Sequence, residues 1–260
     1  MTVLLLRLAG PMQSWGTQSR FTTRDTGMEP SKSGVIGLLC AALGFPRSAQ
    51  QVTCSGRVIR LDELAQLSMG VRVDREGTLA RDFHTAGGGS LNGRHDGPAY
   101  GVVKANGNQG KTVISLRYFL ADADFLVAIG GEPSILERLN KALQQPVWPL
   151  FLGRKSFVPG RPVWMRDGLR NDCSDVETAL RNYPWNPPEP ADGNSPPLRL
   201  VLETNDPAAG EPRADVPISF DSEHRRFGIR HVCTDWIDHP DSLSPQQAFT
   251  TTLINPESGE

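Results

Sequence analysis

The chain has 260 residues, 38% of them hydrophobic and 22% charged, which is an ordinary balance for a folded protein and excludes a disordered one. No apolar run reaches membrane-spanning length, so no membrane contact is expected. The net charge of −2 conceals an asymmetry: residues 1–170 carry 21 basic against 13 acidic side chains, and residues 171–260 carry 6 against 16. Halves of opposite sign point either to a nucleic-acid face on the first part or to charge that serves solubility alone.

The first segment, "TVLLLRLAG", is a short apolar run closed by Gly-Pro and reads as a buried strand. Its apolar stretch is too short for a secretory leader and lacks a basic start, so a cytoplasmic protein is expected. A polar stretch follows, rich in Gly, with Trp15, Phe21, Arg20, Arg24 and Lys32. "SKSGVIGLLCAALGF" then has helical periodicity through Val35, Ile36, Leu38, Leu39, Ala42 and Leu43. Ser31 or Ser33 can cap it and Gly44 with Pro46 ends it. "GRVIRLDEL" and "AQLSMGVRVD" read as strand-like, and "TVISLRYFLAD" with "DFLVAIGG" as a strand pair across a tight acidic turn. "SILERLNKALQQP" is an amphipathic helix that Ser134 can cap and Pro146 stops.

This order is close to a split β-α-β plan, which predicts an α+β, ferredoxin-like (RRM-related) core over about residues 1–158. The Gly- and Asn-rich residues 82–111 read as an inserted, protruding β-hairpin. After residue 158, which precedes 14 of the 21 prolines, a linker-like stretch and three short strands suggest a small β subdomain over 159–233. Residues 234–260 hold five acids and no Lys or Arg, and read as an acidic tail.

Three constellations could carry chemistry. In the opening loop, Trp15 and Phe21 could stack on bases while Arg20, Arg24 and Lys32 hold phosphates, the mixture that single-stranded RNA requires. The start of the following helix adds free N–H groups for an anion. Trp15 fits equally well as an aromatic plug beneath the loop. "LFLGRKSF" sets Arg154, Lys155 and Ser156 after a glycine at an expected strand end, a compact phosphate contact without the P-loop frame. In "RDFHTAGGG", Asp82 and His84 share a strand face, which allows either a general base or a structural histidine. No Ser or Cys nucleophile frame accompanies them. The four cysteines are scattered, carboxylates occur singly, and neither a metal site nor a cofactor is expected.

Taken in order, "LRLAGPMQSWG", "PSKSGVIGLLCAALG", "RDFHTAGG", "YFLADADFLVAI" and "LFLGRKSF" resemble the CasD subunits of type I-E CRISPR Cascade over roughly residues 3–165. The resemblance implies a ferredoxin-like core with a β-thumb, and a non-catalytic subunit that caps the 5′ handle of CRISPR RNA beside the Cascade backbone and large subunits. It also implies target DNA near the thumb. The matching handle-side positions are Gln13, Ser14, Trp15 and Gly16, then Ser31, Lys32 and Ser33, then Arg154, Lys155 and Ser156. Asp82, His84 and Thr85 match the thumb base. Arg20 and Arg24 join them on electrostatic grounds alone. Lys155 stands where relatives commonly carry a second Arg, which keeps the charge but loses a bidentate fork. A type I-C branch of the family uses its protein as a metal-independent endoribonuclease on precursor RNA. For that alternative Tyr100, Lys104, Lys111 and His95 are available, with no motif to place them.

Overall fold

A computed structural model describes residues 1–17, 22–54, 56–87, 112–185 and 197–238. In chain order its strands are β1 (Thr2–Ala9), β2 (Met12–Gln13), β3 (Thr23–Arg24), β4 (Gln51–Cys54), β5 (Arg57–Arg60), β6 (Ser68–Arg75), β7 (Thr78–Ala86), β8 (Val113–Ala121), β9 (Asp124–Gly131), β10 (Trp164–Arg170), β11 (Leu198–Thr204), β12 (Glu211–Ser219) and β13 (Arg226–Ile237). The helices are α1 (Lys32–Leu43), α2 (Leu61–Gln66), α3 (Pro133–Gln144) and α4 (Val176–Asn182). The architecture is mixed α/β with antiparallel pairing throughout the main sheet.

That sheet has seven strands in the order β10-β1-β9-β6-β11-β13-β12. β1 is paired on both edges and packed on both faces, and its run of apolar residues follows from that. Leu4, Leu6 and Leu8 pack toward α1, α2 and α3, while Val3 and Leu5 pack toward α4 on the opposite face. Arg72 on β6 is wholly buried, yet it is satisfied. Its guanidinium pairs with Asp74 at 2.6 Å and donates to the Leu180 and Tyr183 carbonyls, which satisfies the C-terminal end of α4.

Several expectations change against this fold. "LDEL" is the start of α2 and not part of a strand: Glu63 reaches back to the Arg60 N–H at 2.8 Å and fixes a helical turn. α3 starts at Pro133, and its N-cap is Glu132 instead of Ser134. Leu150–Phe157 is irregular, with no strand before the glycine. The three C-terminal strands do not form a sheet of their own. β11 pairs with β6 and extends the main sheet, because its inward residues Leu198, Leu200 and Leu202 complete the core beside α4. β13 also runs to Ile237, so the first four residues assigned to the tail are strand. Of the expected hairpin, residues 88–111 lie outside the described residues, as do residues 239–260 of the expected tail; β7 and β8, on either side of 88–111, pair antiparallel.

Candidate nucleic-acid interface

The opening loop turns its larger side chains inward. Gln13 is fully buried, and its Nε2 donates to the Leu8 carbonyl at 3.0 Å and the Ala123 carbonyl at 2.8 Å. Its Oε1 accepts from Trp15 Nε1 at 3.2 Å, so both polar ends of this pair are satisfied without solvent. Trp15 is only 2% exposed. Its ring covers Gly34 of α1, where a Cβ would stand 2.8 Å from Cε3. Trp15 is therefore a core plug and not a base platform, and Gln13 is its buried partner. Gly34 serves close packing, as its place inside a helix suggests. Ser14 is also buried, and its N–H donates to the Leu152 carbonyl at 3.1 Å. Gly16 is exposed, and the returning Asp25 backbone leaves no room for a side chain there. Arg20 and Phe21 lie outside the described residues.

The start of α1 is already occupied by an anion. Ser31 is the N-cap and accepts from the Gly34 N–H at 3.3 Å. The Lys32 N–H donates to Asp215 Oδ2 at 2.7 Å, and Arg230 holds that same carboxylate at 2.7 and 2.9 Å. Lys32 Nζ pairs with Glu203 at 2.9 Å, and the residue is 4% exposed. Ser33 is half-buried, its hydroxyl 3.5 Å from that of Ser31. The phosphate expectation for the Ser31–Ser33 segment is thus corrected: strands β11 and β12 supply the carboxylates that neutralise it. Glu29, just before the helix, is buried and accepts from Arg199 at 2.9 Å and Arg213 at 2.5 Å, which ties the loop to the same strands.

What the fold does bring together is a row of cations on the second sheet. β8 is flanked by β3, parallel, and by β7, antiparallel. Arg24 stands opposite Arg117, and Arg117 opposite Asp82, so the three share one face. Ser115 stands opposite His84 on that face, and His84 Nδ1 lies 3.4 Å from Asp82. Thr85 alternates to the other side of the strand, away from this row.

The glycine loop closes over the row. Gly153 has φ +96°, and a side chain there would collide with the Ser14 carbonyl, so the loop and the end of β2 touch backbone to backbone. Arg154 Nη2 donates to the Tyr118 carbonyl at 2.9 Å and to that of Arg24 at 3.4 Å, while its guanidinium stacks 5.3 Å from the Phe157 ring centroid. Phe157 in turn packs on Phe119, with centroids 5.7 Å apart. Burial first, and then repulsion from Arg117, lowers Arg154 from the usual arginine value. Lys155 and Ser156 are exposed at the rim.

Among the described residues no carboxylate forms an ion pair with Arg24, Arg117 or Arg154, although Arg7, Arg72, Arg199 and Arg230 each have one. Asp82 and Asp25 offset part of the repulsion at Arg154, and the cationic charge in excess of them is suited to an external anion. Arg117 escaped the sequence reading because it sits within an apolar strand. The available signal was alternation: in "ISLRYF" the polar Ser115 and Arg117 fall on one face.

Residues 3–233 match the family described as CRISPR-associated protein (Cas_Cas5). The chain belongs to the Cas5 family. It is 36% identical over 188 residues to "CRISPR system Cascade subunit CasD" of Escherichia coli (strain K12), a match covering 69% of this chain and 76% of that one. Among solved structures it resembles "Crystal structure of Cas protein" with TM-score 0.65 and 38% identity, covering 92% of this chain and 98% of that one. It also resembles a chain of "CRISPR RNA-guided surveillance complex" with TM-score 0.70 and 34% identity, covering 92% and 91%. The Cas5 match extends well past residue 165, where the resemblance seen in the sequence stops. It takes in β11, β12 and the start of β13, the strands that hold Glu29, Lys32 and the start of α1.

Proposed function

We propose that this Cas5 protein is a non-catalytic, RNA-binding subunit of a Cascade-type surveillance complex that caps the 5′ handle of CRISPR RNA. The observation that carries the reading is the row Arg24–Arg117 with Arg154 above it, in which the three guanidiniums form no ion pair with a carboxylate among the described residues and Asp82 and Asp25 offset only part of the repulsion at Arg154. Arg154 of the glycine loop bonds to the Arg24 carbonyl, and an RNA backbone can approach the row past exposed Gly16, Lys155 and Ser156. The relative named as a Cascade subunit and the structure titled as an RNA-guided complex agree with it.

The strand order β10-β1-β9-β6, with α1 after β1 and α3 after β9, supports a ferredoxin-like (RRM-related) core for this function, and the β7–β8 pair supports a thumb. In this reading the backbone and large subunits of Cascade are the protein neighbours, and target DNA passes near the thumb. Among the described residues no helix is long and apolar enough to cross a membrane.

The test is binding of the full chain to handle RNA and to a shuffled RNA over a salt series. Handle binding should weaken linearly in log salt, and the Arg154→Ala/Lys155→Ala double variant should lower the slope by about two. Equal affinity for shuffled RNA, or an unchanged slope, refutes the assignment. The His84–Asp82 contact is the one observation that favours the endoribonuclease alternative. Site-specific cleavage of repeat RNA in EDTA that His84→Ala abolishes would establish it in place of the scaffold.

A further inference from the structure

We infer that Arg117 is the anchor of this interface, a strand-borne guanidinium set to take one RNA phosphodiester in a two-point contact between Arg24 and Arg154. The inference rests on the handle-binding reading and adds to it the residue that fixes the RNA register.

Position is the first ground. β8 is paired on both sides, so Arg117 stands on the central strand of its sheet, while Arg24 lies on a two-residue edge strand and Lys155 on a loop rim. Orientation is the second. Arg117 Nε donates to Ser115 Oγ at 3.0 Å, a bond from within its own strand that sets the plane of the guanidinium. The outer nitrogens then form the fork that matches a phosphate, a geometry lysine cannot supply.

Cost is the third ground. Arg24 is its cross-strand neighbour, and Arg117 repels Arg154, which burial already disfavours as a cation. Asp82 lies on the other side of Arg117 and lowers this repulsion without pairing with it. Like charges directly opposite one another on a sheet are destabilising, so the free protein bears a cost that an arriving phosphate would relieve. An acidic protein segment would also relieve it. RNA is favoured because Gly16, Lys155 and Ser156, on the two loops beside the row, are exposed, which leaves a nucleic-acid backbone free to approach.

The experiment is a residue-by-linkage cycle. The probe is fluorescein-labelled handle RNA, made either unmodified or with a single neutral methylphosphonate at each linkage in turn. It is titrated into the wild-type chain and into Arg117→Gln and Arg117→Lys, with thermal melting to verify folding. Arg117→Gln should weaken binding roughly tenfold to hundredfold, the range for a charge-assisted hydrogen-bonded contact. One linkage should stand out in the wild type, and its neutral form should cost nothing further in Arg117→Gln. Arg117→Lys should retain the salt slope but bind more weakly than wild type, which holds the test open even if Arg117→Gln melts. Additive losses at every linkage, or wild-type affinity in Arg117→Lys, would overturn the anchor while leaving RNA binding intact. Failure of the wild type to bind any RNA would overturn both readings, and binding of a polyglutamate probe in its place would assign the row to an acidic protein.

Discussion

Trp15→Ala separates the structural role of the opening loop from its RNA role. The indole is 2% exposed, lies over Gly34 and gives its N–H to Gln13. Truncating a buried Trp to Ala costs about 3–5 kcal/mol, and about 1 kcal/mol more follows from the stranded Gln13 oxygen. A total of about 4–6 kcal/mol corresponds to a fall in melting temperature of roughly 8–24 °C for a chain of this size. Base stacking, by contrast, would appear as a loss of about 1–3 kcal/mol in RNA affinity with little change in stability. The assay is thermal and urea unfolding of Trp15→Ala beside handle-RNA titration below its melting point. Trp15→Phe serves as an intermediate that keeps most of the volume and drops the N–H. The reasoning predicts a large stability loss, and affinity within about twofold of wild type in the folded fraction. A melting temperature within about 2 °C of wild type together with a tenfold loss of RNA affinity would refute it.

Gly153→Ala should destabilise the protein by about 1–3 kcal/mol and weaken RNA binding as well, since φ +96° is strained for alanine and the added carbon strikes the Ser14 backbone; urea unfolding and RNA titration check both. Lys32→Ala should cost about 1–3 kcal/mol of stability yet leave the salt slope of RNA binding unchanged, because its charge, itself buried, is spent on half-buried Glu203; a slope reduced by one would return Lys32 to the RNA site. Burial pushes the Cys40 thiol up to about 12, so it should resist a thiol reagent at pH 8 in the native protein. Because the unfolded thiol ionises near 8.5, Cys40 contributes stability that is complete below that pH. That stability is lost as the pH rises toward about 12, and Cys40→Ala should remove this part of the alkaline loss in a pH series of urea melts.

The elements that periodicity and punctuation define were legible in the sequence. α1 starts after Ser31 and stops at Gly44 in the left-handed conformation, as "SKS…LGF" indicates. The strand pair of β8 and β9 turns at Asp122, which also has positive φ. Partners far apart in the chain were not legible. Nothing local shows that "LRLVLET" pairs with "MGVRV", which turns an apparent separate unit into a continuation of one sheet. The site followed the same rule. Arg24, Arg154 and Lys155 could be nominated because they stand in polar segments, whereas Arg117 is hidden among β-strand residues and becomes visible only through register.

The charge asymmetry has the same origin and a sharper meaning. Seen in sequence, a basic first part and an acidic second part suggest two faces turned to two partners. In the fold much of this charge is consumed internally, and it crosses the boundary in both directions. Lys32 and the α1 N-terminus take Glu203 and Asp215 from the C-terminal strands, while Arg199 and Arg213 of those strands take Glu29 and Glu76 from the first part. These pairs hold the opening loop to the sheet, so the C-terminal strands act on the interface through its backbone. Counting cations therefore overstates the proposed RNA site, and the internally paired ones must be subtracted from it. Lys32 leaves the list by that rule, and Arg117 enters it beside Arg24, Arg154 and Lys155.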